Sequence, residues 1–137
     1  MGSVPAAGQV TIIYGGPNGL DPIAGPGAQY FNEATPGLQG GPPFTKDWFS
    51  HGNAGAGDFN QDGYWDVAIG VLYRDVDGFI DAGALDVIYG GPNGLGVNAG
   101  PGNQYFTADT PGIKGPGAQA YASFGGTMAQ AAEGGSG

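Results

Sequence analysis

A chain of 137 residues is the size of one domain, and with 12 Asp and Glu against 3 Lys and Arg it carries a formal net charge of −9. That charge disfavours nucleic acid and anionic lipid as partners and favours divalent cations. With no cysteine and one histidine, disulfides, thiolate metal sites and multi-imidazole zinc sites within one chain are excluded.

Glycine (31) and proline (11) are abundant, but they cluster between apolar runs, which is the punctuation of a turn-rich folded protein. The runs are short and rich in β-branched and aromatic residues, so they read as strands. In chain order, Gln9 to Tyr14 is the first strand, followed by a tight turn at Asn18-Gly19. Gln29 to Asn32 is a short outer strand. Phe49 to Ala56 is thin and Gly/Ala-rich, suited to close approach of sheets. Trp65 to Leu72 is nearly all apolar, which predicts burial on both faces. Ala84 to Tyr89, a second Asn93-Gly94 turn and Gln104 to Thr107 repeat the opening pattern, and Phe124 to Ala131 repeats the thin strand. The Ala-rich Thr127 to Glu133 is the one window with helical composition, and the repeat register assigns it to a strand. No run of about 20 apolar residues exists, so no membrane insertion is expected. The N-terminus lacks the charged-then-apolar pattern of a signal peptide.

The repetition is literal. Ile13-Tyr-Gly-Gly-Pro-Asn-Gly-Leu20 recurs at Ile88 to Leu95, an offset of 75 residues. The same offset carries Gln29-Tyr30-Phe31 onto Gln104-Tyr105-Phe106, Thr35-Pro36-Gly37 onto Thr110-Pro111-Gly112, and Phe49 onto Phe124. About four short strands per repeat fit propeller-type blades, with a two-sheet sandwich as the alternative.

One loop stands out chemically: Asp58-x-Asn60-x-Asp62-Gly63-x-x-Asp66. Alternate residues of a tight loop point to one centre, and hard cations take about six to eight oxygens. Asp58, Asn60, Asp62 and Asp66, with the backbone carbonyl of Tyr64, form a candidate Ca²⁺ ligand set, and Gly63 permits the sharp turn. Position 12 is Ile69 rather than the acidic residue of a helical calcium loop, so a β-hairpin version is expected. A metal-free acidic turn is the simpler alternative. Asp75, Asp77 and Asp81 form a second acidic stretch, either a weaker cation site or a solvated hairpin tip.

Asp58-Phe-Asn-Gln-Asp-Gly-Tyr-Trp-Asp-Val-Ala-Ile-Gly70 resembles the core of the FG-GAP repeat, the blade of integrin-α-like β-propellers. Ser123-Phe124-Gly125-Gly126 resembles that repeat's opening, and Ala82 to Gly90 its third strand. The resemblance covers essentially the whole chain, in the manner of bacterial secreted proteins. It implies an all-β fold of four-stranded antiparallel blades, calcium at the loop, an extracellular or cell-surface location, and adhesion, ligand-binding or scaffolding roles. On this reading residues 1–47 are the second half of a blade, 48–122 a complete blade with its calcium loop, and 123–137 the first strand of another with a Gly/Ser tail.

A lone blade cannot bury both faces, and open edges invite strand addition. The expectation is therefore a non-enzymatic, calcium-stabilised structural repeat protein. It self-assembles head to tail through incomplete blades into a multi-chain propeller or an extracellular filament. The alternative is an adhesion or glycan-binding module from a longer protein, with Tyr30, Phe31, Tyr105 and Phe106 as ligand-stacking or interface aromatics. An enzyme is not expected: His51 beside Ser50 is no triad, and Gly15-Gly16-Pro17-Asn18-Gly19 lacks the Lys and helix of a phosphate cradle. No Asn-x-Ser/Thr acceptor occurs, while Thr35-Pro36 and Thr110-Pro111 are candidate O-glycosylation positions.

Overall fold

The computed structural model describes residues 8–40, 49–122 and 124, with the side chains of 50–53 excluded. The expected strand Phe124 to Ala131 therefore lies almost wholly outside the described residues, as do the side chains of Ser50, His51 and Asn53. All nine elements are strands, and no helix occurs among the described residues.

The first unit pairs β1 (Val10–Ile12) with β4 (Gln29–Phe31), and β2 (Gly15–Gly16) with β3 (Gly19–Leu20). The second is a larger antiparallel sheet. There β5 (Phe49–Gly57), β6 (Asp66–Val71) and β7 (Ala84–Gly91) run in sequence. Two further strands, β8 (Gly94–Gly96) and β9 (Gln104–Phe106), both pair with β7. Each predicted strand within the described residues forms, trimmed or extended by one or two residues at its ends. The largest difference concerns Trp65: it precedes β6 and is 70% exposed, whereas every residue of β6 itself is buried.

The 75-residue repeat extends to hydrogen-bond register. Val10 faces Phe31 as Leu85 faces Phe106, and Gly15 faces Leu20 as Gly90 faces Leu95. The Tyr14 hydroxyl donates to Gln29 Oε1, and the Tyr89 hydroxyl to Gln104 Oε1. The threonine turns also agree: Asn32 N–H donates to Thr35 Oγ1 and Thr107 N–H to Thr110 Oγ1, each at 2.9 Å. A shared sequence thus folds twice into the same local structure.

The two units pack face to face. Strand alternation points Val67, Ile69 and Val71 of β6 and Ala84 and Ile88 of β7 to one side. Phe31, Val10, Ile12 and Leu38 of the first unit close over them. Each large apolar side chain buried here contributes about 1.5–3 kcal/mol. A smaller cluster, Ala68, Val87 and Tyr89 with Phe59 and Phe106, lies on the opposite face. Polar contacts register the two units. Gln39 N–H donates to Asn103 Oδ1 at 2.8 Å, and Asn103 Nδ2 donates to the Gly37 carbonyl at 2.8 Å.

Within this apolar contact sits a charged cluster. Arg74 Nη1 lies 2.7 Å from Glu33 Oε2, with both side chains buried. Asp86 is buried on the same face, between Ala84 and Ile88 along β7 and opposite Ile69 and Tyr105. Burial pushes its carboxyl up to about 7, against the opposing pull of Arg74. In that state the unfolded chain releases this proton near pH 4, while the folded chain keeps it to about 7. Stability from Asp86 is therefore full at acid pH and falls as pH rises through that window. Asp86→Asn, which mimics the protonated form, should gain on wild type by about 2–3 kcal/mol between about pH 5 and pH 8. Urea melts of both proteins across that range check this, and a constant difference would contradict it.

Candidate metal loop and its surroundings

The loop between β5 and β6 begins where Gly57 pairs with Asp66. Its turn is built from left-handed residues, Gln61 at φ +60° and Gly63 at φ +93°. Asp58 organises the near side, accepting hydrogen bonds from the N–H groups of Asp62 (3.0 Å) and Gly63 (2.8 Å). Asp62 accepts from Tyr64 N–H (2.9 Å) and Asn60 Nδ2 (3.1 Å). Asp66 differs: it is buried, and its two oxygens accept from Phe59 N–H (2.6 Å) and Gly90 N–H (2.9 Å). It thereby ties the loop to β7.

These bonds hold the loop as an acidic turn. No group of three or more His, Asp or Glu side chains able to hold a metal occurs among the described residues. The donor set nevertheless suits a hard cation. An ionised carboxylate has about four acceptor positions, and the bonds above occupy two on each of Asp62 and Asp66. Asp58, Asn60, Asp62, Asp66 and the Tyr64 carbonyl are the groups that would hold calcium.

The second acidic stretch is a two-residue hairpin. Val76 and Phe79 exchange backbone hydrogen bonds of 3.0 and 2.8 Å around Asp77 (φ +52°) and Gly78 (φ +87°). Asp75 Oδ1 accepts from Asp81 N–H at 3.0 Å. Asp77 meets Asp109 instead of its neighbours: the hydrogen bond between their carboxyls raises the pKa of Asp77 and lowers that of Asp109, with help from Ala118 N–H.

The four aromatics separate. Phe31 and Tyr105 meet the contact between the two units, Phe106 lies on the opposite face, and Tyr30 is exposed. The Arg74–Glu33 pair is not among the features the sequence pattern points to. The available signal was a break in the repeat, since Glu33 and Asp86 replace Ala108 and Thr11 at equivalent positions.

Gly90 shows how tightly the loop is seated. A Cβ there would fall 2.1 Å from the Trp65 carbonyl oxygen, while its repeat equivalent Gly15 has open space. Gly90→Ala should cost about 2–3 kcal/mol and Gly15→Ala less than about 0.5 kcal/mol. Asp66→Ala, which strands two amide donors, should cost about 2–4 kcal/mol even with calcium chelated. Denaturant melts in chelator test all three, and equal costs at Gly90 and Gly15 would contradict the packing.

No protein-family model matches the chain, and no curated protein or solved structure matches it.

Proposed function

We propose that the chain is a non-enzymatic, calcium-stabilised structural repeat protein, built of FG-GAP-type blades, that assembles head to tail with copies of itself. One observation carries the reading. The repeat folds twice with the same register, and Val10, Ile12, Phe31 and Leu38 of the first unit cover the second. A fold spent on covering its own repeats suits a scaffold. A multi-chain propeller and an extracellular or cell-surface filament are the two assemblies such units build.

Open edges supply the means. Leu85 to Val87 of β7 is paired on both sides, by β6 and by β9. The equivalent β1 is paired only by β4 among the described residues. In the proposed assembly the 124–131 segment of one chain joins the sheet of β1 and β4 in the next. Main-chain hydrogen bonds supply the affinity.

Calcium has a local task on this reading. It neutralises Asp58, Asp62 and Asp66 and braces the turn that Asp66 fastens to β7. Extracellular modules bind calcium at about 0.1–1 mM, and calcium at a hundred times Kd adds about 2.7 kcal/mol to stability. Wild type should melt higher in calcium than in chelator, and Asp58→Ala and Asp62→Ala should lose most of that difference. Equal melting of wild type in both conditions would end the calcium role. Light scattering should give a multi-chain mass in calcium, and Ala129→Pro, which removes a main-chain donor, should reduce it. A monomer in saturating calcium would end the assembly role.

A further inference from the structure

The two units of the chain are equivalent in fold but not in cover, and the difference identifies a docking face. On the second unit, Ile88 is fully buried and Leu95 is 8% exposed, because Val10, Ile12 and Phe31 lie against that face. The equivalent residues of the first unit are Ile13, at 42% exposed, and Leu20, at 75%. Tyr30, equivalent to the half-buried Tyr105, is 65% exposed. The residue types are the same; the first unit lacks both the cover and, among the described residues, a counterpart of β6, whose Val67 pairs with Ile88. Three large apolar groups exposed together on one small unit, Tyr30 on β4, Leu20 on β3 and Ile13 just after β1, make a surface that monomers seldom leave open.

The covering set is also duplicated. Val10, Ile12, Phe31 and Leu38, which close over the second unit, correspond to Leu85, Val87, Phe106 and Ile113. Every one of these stays apolar. Val87 is buried with Ala68 and Tyr89 under Phe59 and Ala99; Leu85 and Phe106 pack at the margin of that cluster and stay half-buried, and Ile113 is exposed. The second unit thus presents the same kind of cover that the first unit has used.

A polar clamp repeats with them. Within the chain, Leu95 N–H donates to the Tyr14 hydroxyl oxygen at 2.9 Å, and Gln29 Nε2 donates to the Leu95 carbonyl at 3.0 Å. The hydroxyl of Tyr14 is oriented by its own bond to Gln29 Oε1. Tyr89 and Gln104 form that same internal pair. Their counterpart target, the backbone of Leu20, receives no side chain among the described residues.

We infer that the Ile13, Leu20 and Tyr30 face of one chain is the docking site for the Leu85, Phe106 and Ile113 face of a second copy, repeating between chains the contact that joins the two units within one. The inference deepens the self-assembly reading by naming the surfaces, and it requires neither calcium nor strand exchange. The occupant is a second copy because the internal interface already shows this cover seated on this face. The other polar contacts of the template are not repeated: Gln39 and Asn103 correspond to Lys114 and Ala28, and Glu33 and Asp86 to Ala108 and Thr11, so both the Gln39–Asn103 clamp and the buried charged cluster are confined to the contact within the chain. The contact between chains is accordingly weaker than the one within a chain. It is also heterologous, because each chain offers one face of each kind.

Mass measurement by light scattering on the full chain tests this. Leu20→Lys/Tyr30→Lys alters only exposed groups and should fold as wild type, while weakening self-association about a hundredfold or more. Ile23→Lys is the control: Ile23 is 84% exposed, and its equivalent Asn98 stays exposed even where the face is covered. It should associate as wild type does. Leu85→Lys/Ile113→Lys should weaken self-association to a similar extent. Mixed with Leu20→Lys/Tyr30→Lys it should give one-to-one dimers, since each variant keeps one intact face. Where the Leu85 variant melts early, Ile113→Lys alone replaces it. A monomeric wild type, or a Leu20→Lys/Tyr30→Lys variant that associates like wild type, overturns the inference. If that variant still associates while Ala129→Pro does not, strand exchange stands and face docking falls.

Discussion

The packing of the β1–β4 sheet on the β6–β7 face is the contact on which everything else in the chain depends. Strands this short cannot hold a sheet by their own ladders. What stabilises β6 and β7 is removal of Val67, Ile69, Val71 and Ile88 from water, and the first unit performs that removal with Val10, Ile12 and Phe31. The same contact has to accommodate Glu33, Arg74 and Asp86. Burying ions in an apolar seam costs several kcal/mol each unless they are paired, as Glu33 and Arg74 are, and burial holds the Asp86 carboxyl in its protonated form up to about pH 7, so the cluster contributes to register more than to net stability. It fixes which part of the first unit meets the linker after β6, where a purely apolar seam would tolerate sliding.

The acidic loop depends on that seam indirectly. Asp66 is the first residue of β6, and its carboxylate reaches across to Gly90 in β7. The loop is therefore anchored to the two strands that the first unit covers. Strain or loss at the loop passes into the core through one carboxylate and one glycine. On the proposed reading calcium reinforces a turn that its own hydrogen bonds already shape.

Much of this was legible in the sequence. An offset that holds without a gap as it carries Ile13–Phe31 onto Ile88–Phe106 requires two equivalent local structures, and the strands emerged where glycine and proline bound the apolar runs. The burial of β6 on both faces followed from its nearly continuous apolar run, which only Asp66 interrupts. Packing between the units was not legible, because periodicity gives each strand two faces without saying which is covered. Hence Tyr30 and Tyr105, in identical Gln-Tyr-Phe contexts, have opposite fates. Trp65 was drawn into the strand by its apolarity, yet the chain is still leaving the Asp58 turn at that point and the indole faces water. The Glu33–Arg74 pair joins residues 41 apart in sequence, a separation over which charge patterning carries no signal.

The account rests on a single contact serving twice, once within the chain and once between chains. Electron microscopy of the calcium-loaded assembly, at a resolution that separates individual repeat units, tests this directly. The account predicts one constant rotation and translation from each unit to the next, whether or not a chain boundary intervenes. Two alternating transformations, or a junction that leaves Ile13, Leu20 and Tyr30 exposed to solvent, would contradict it.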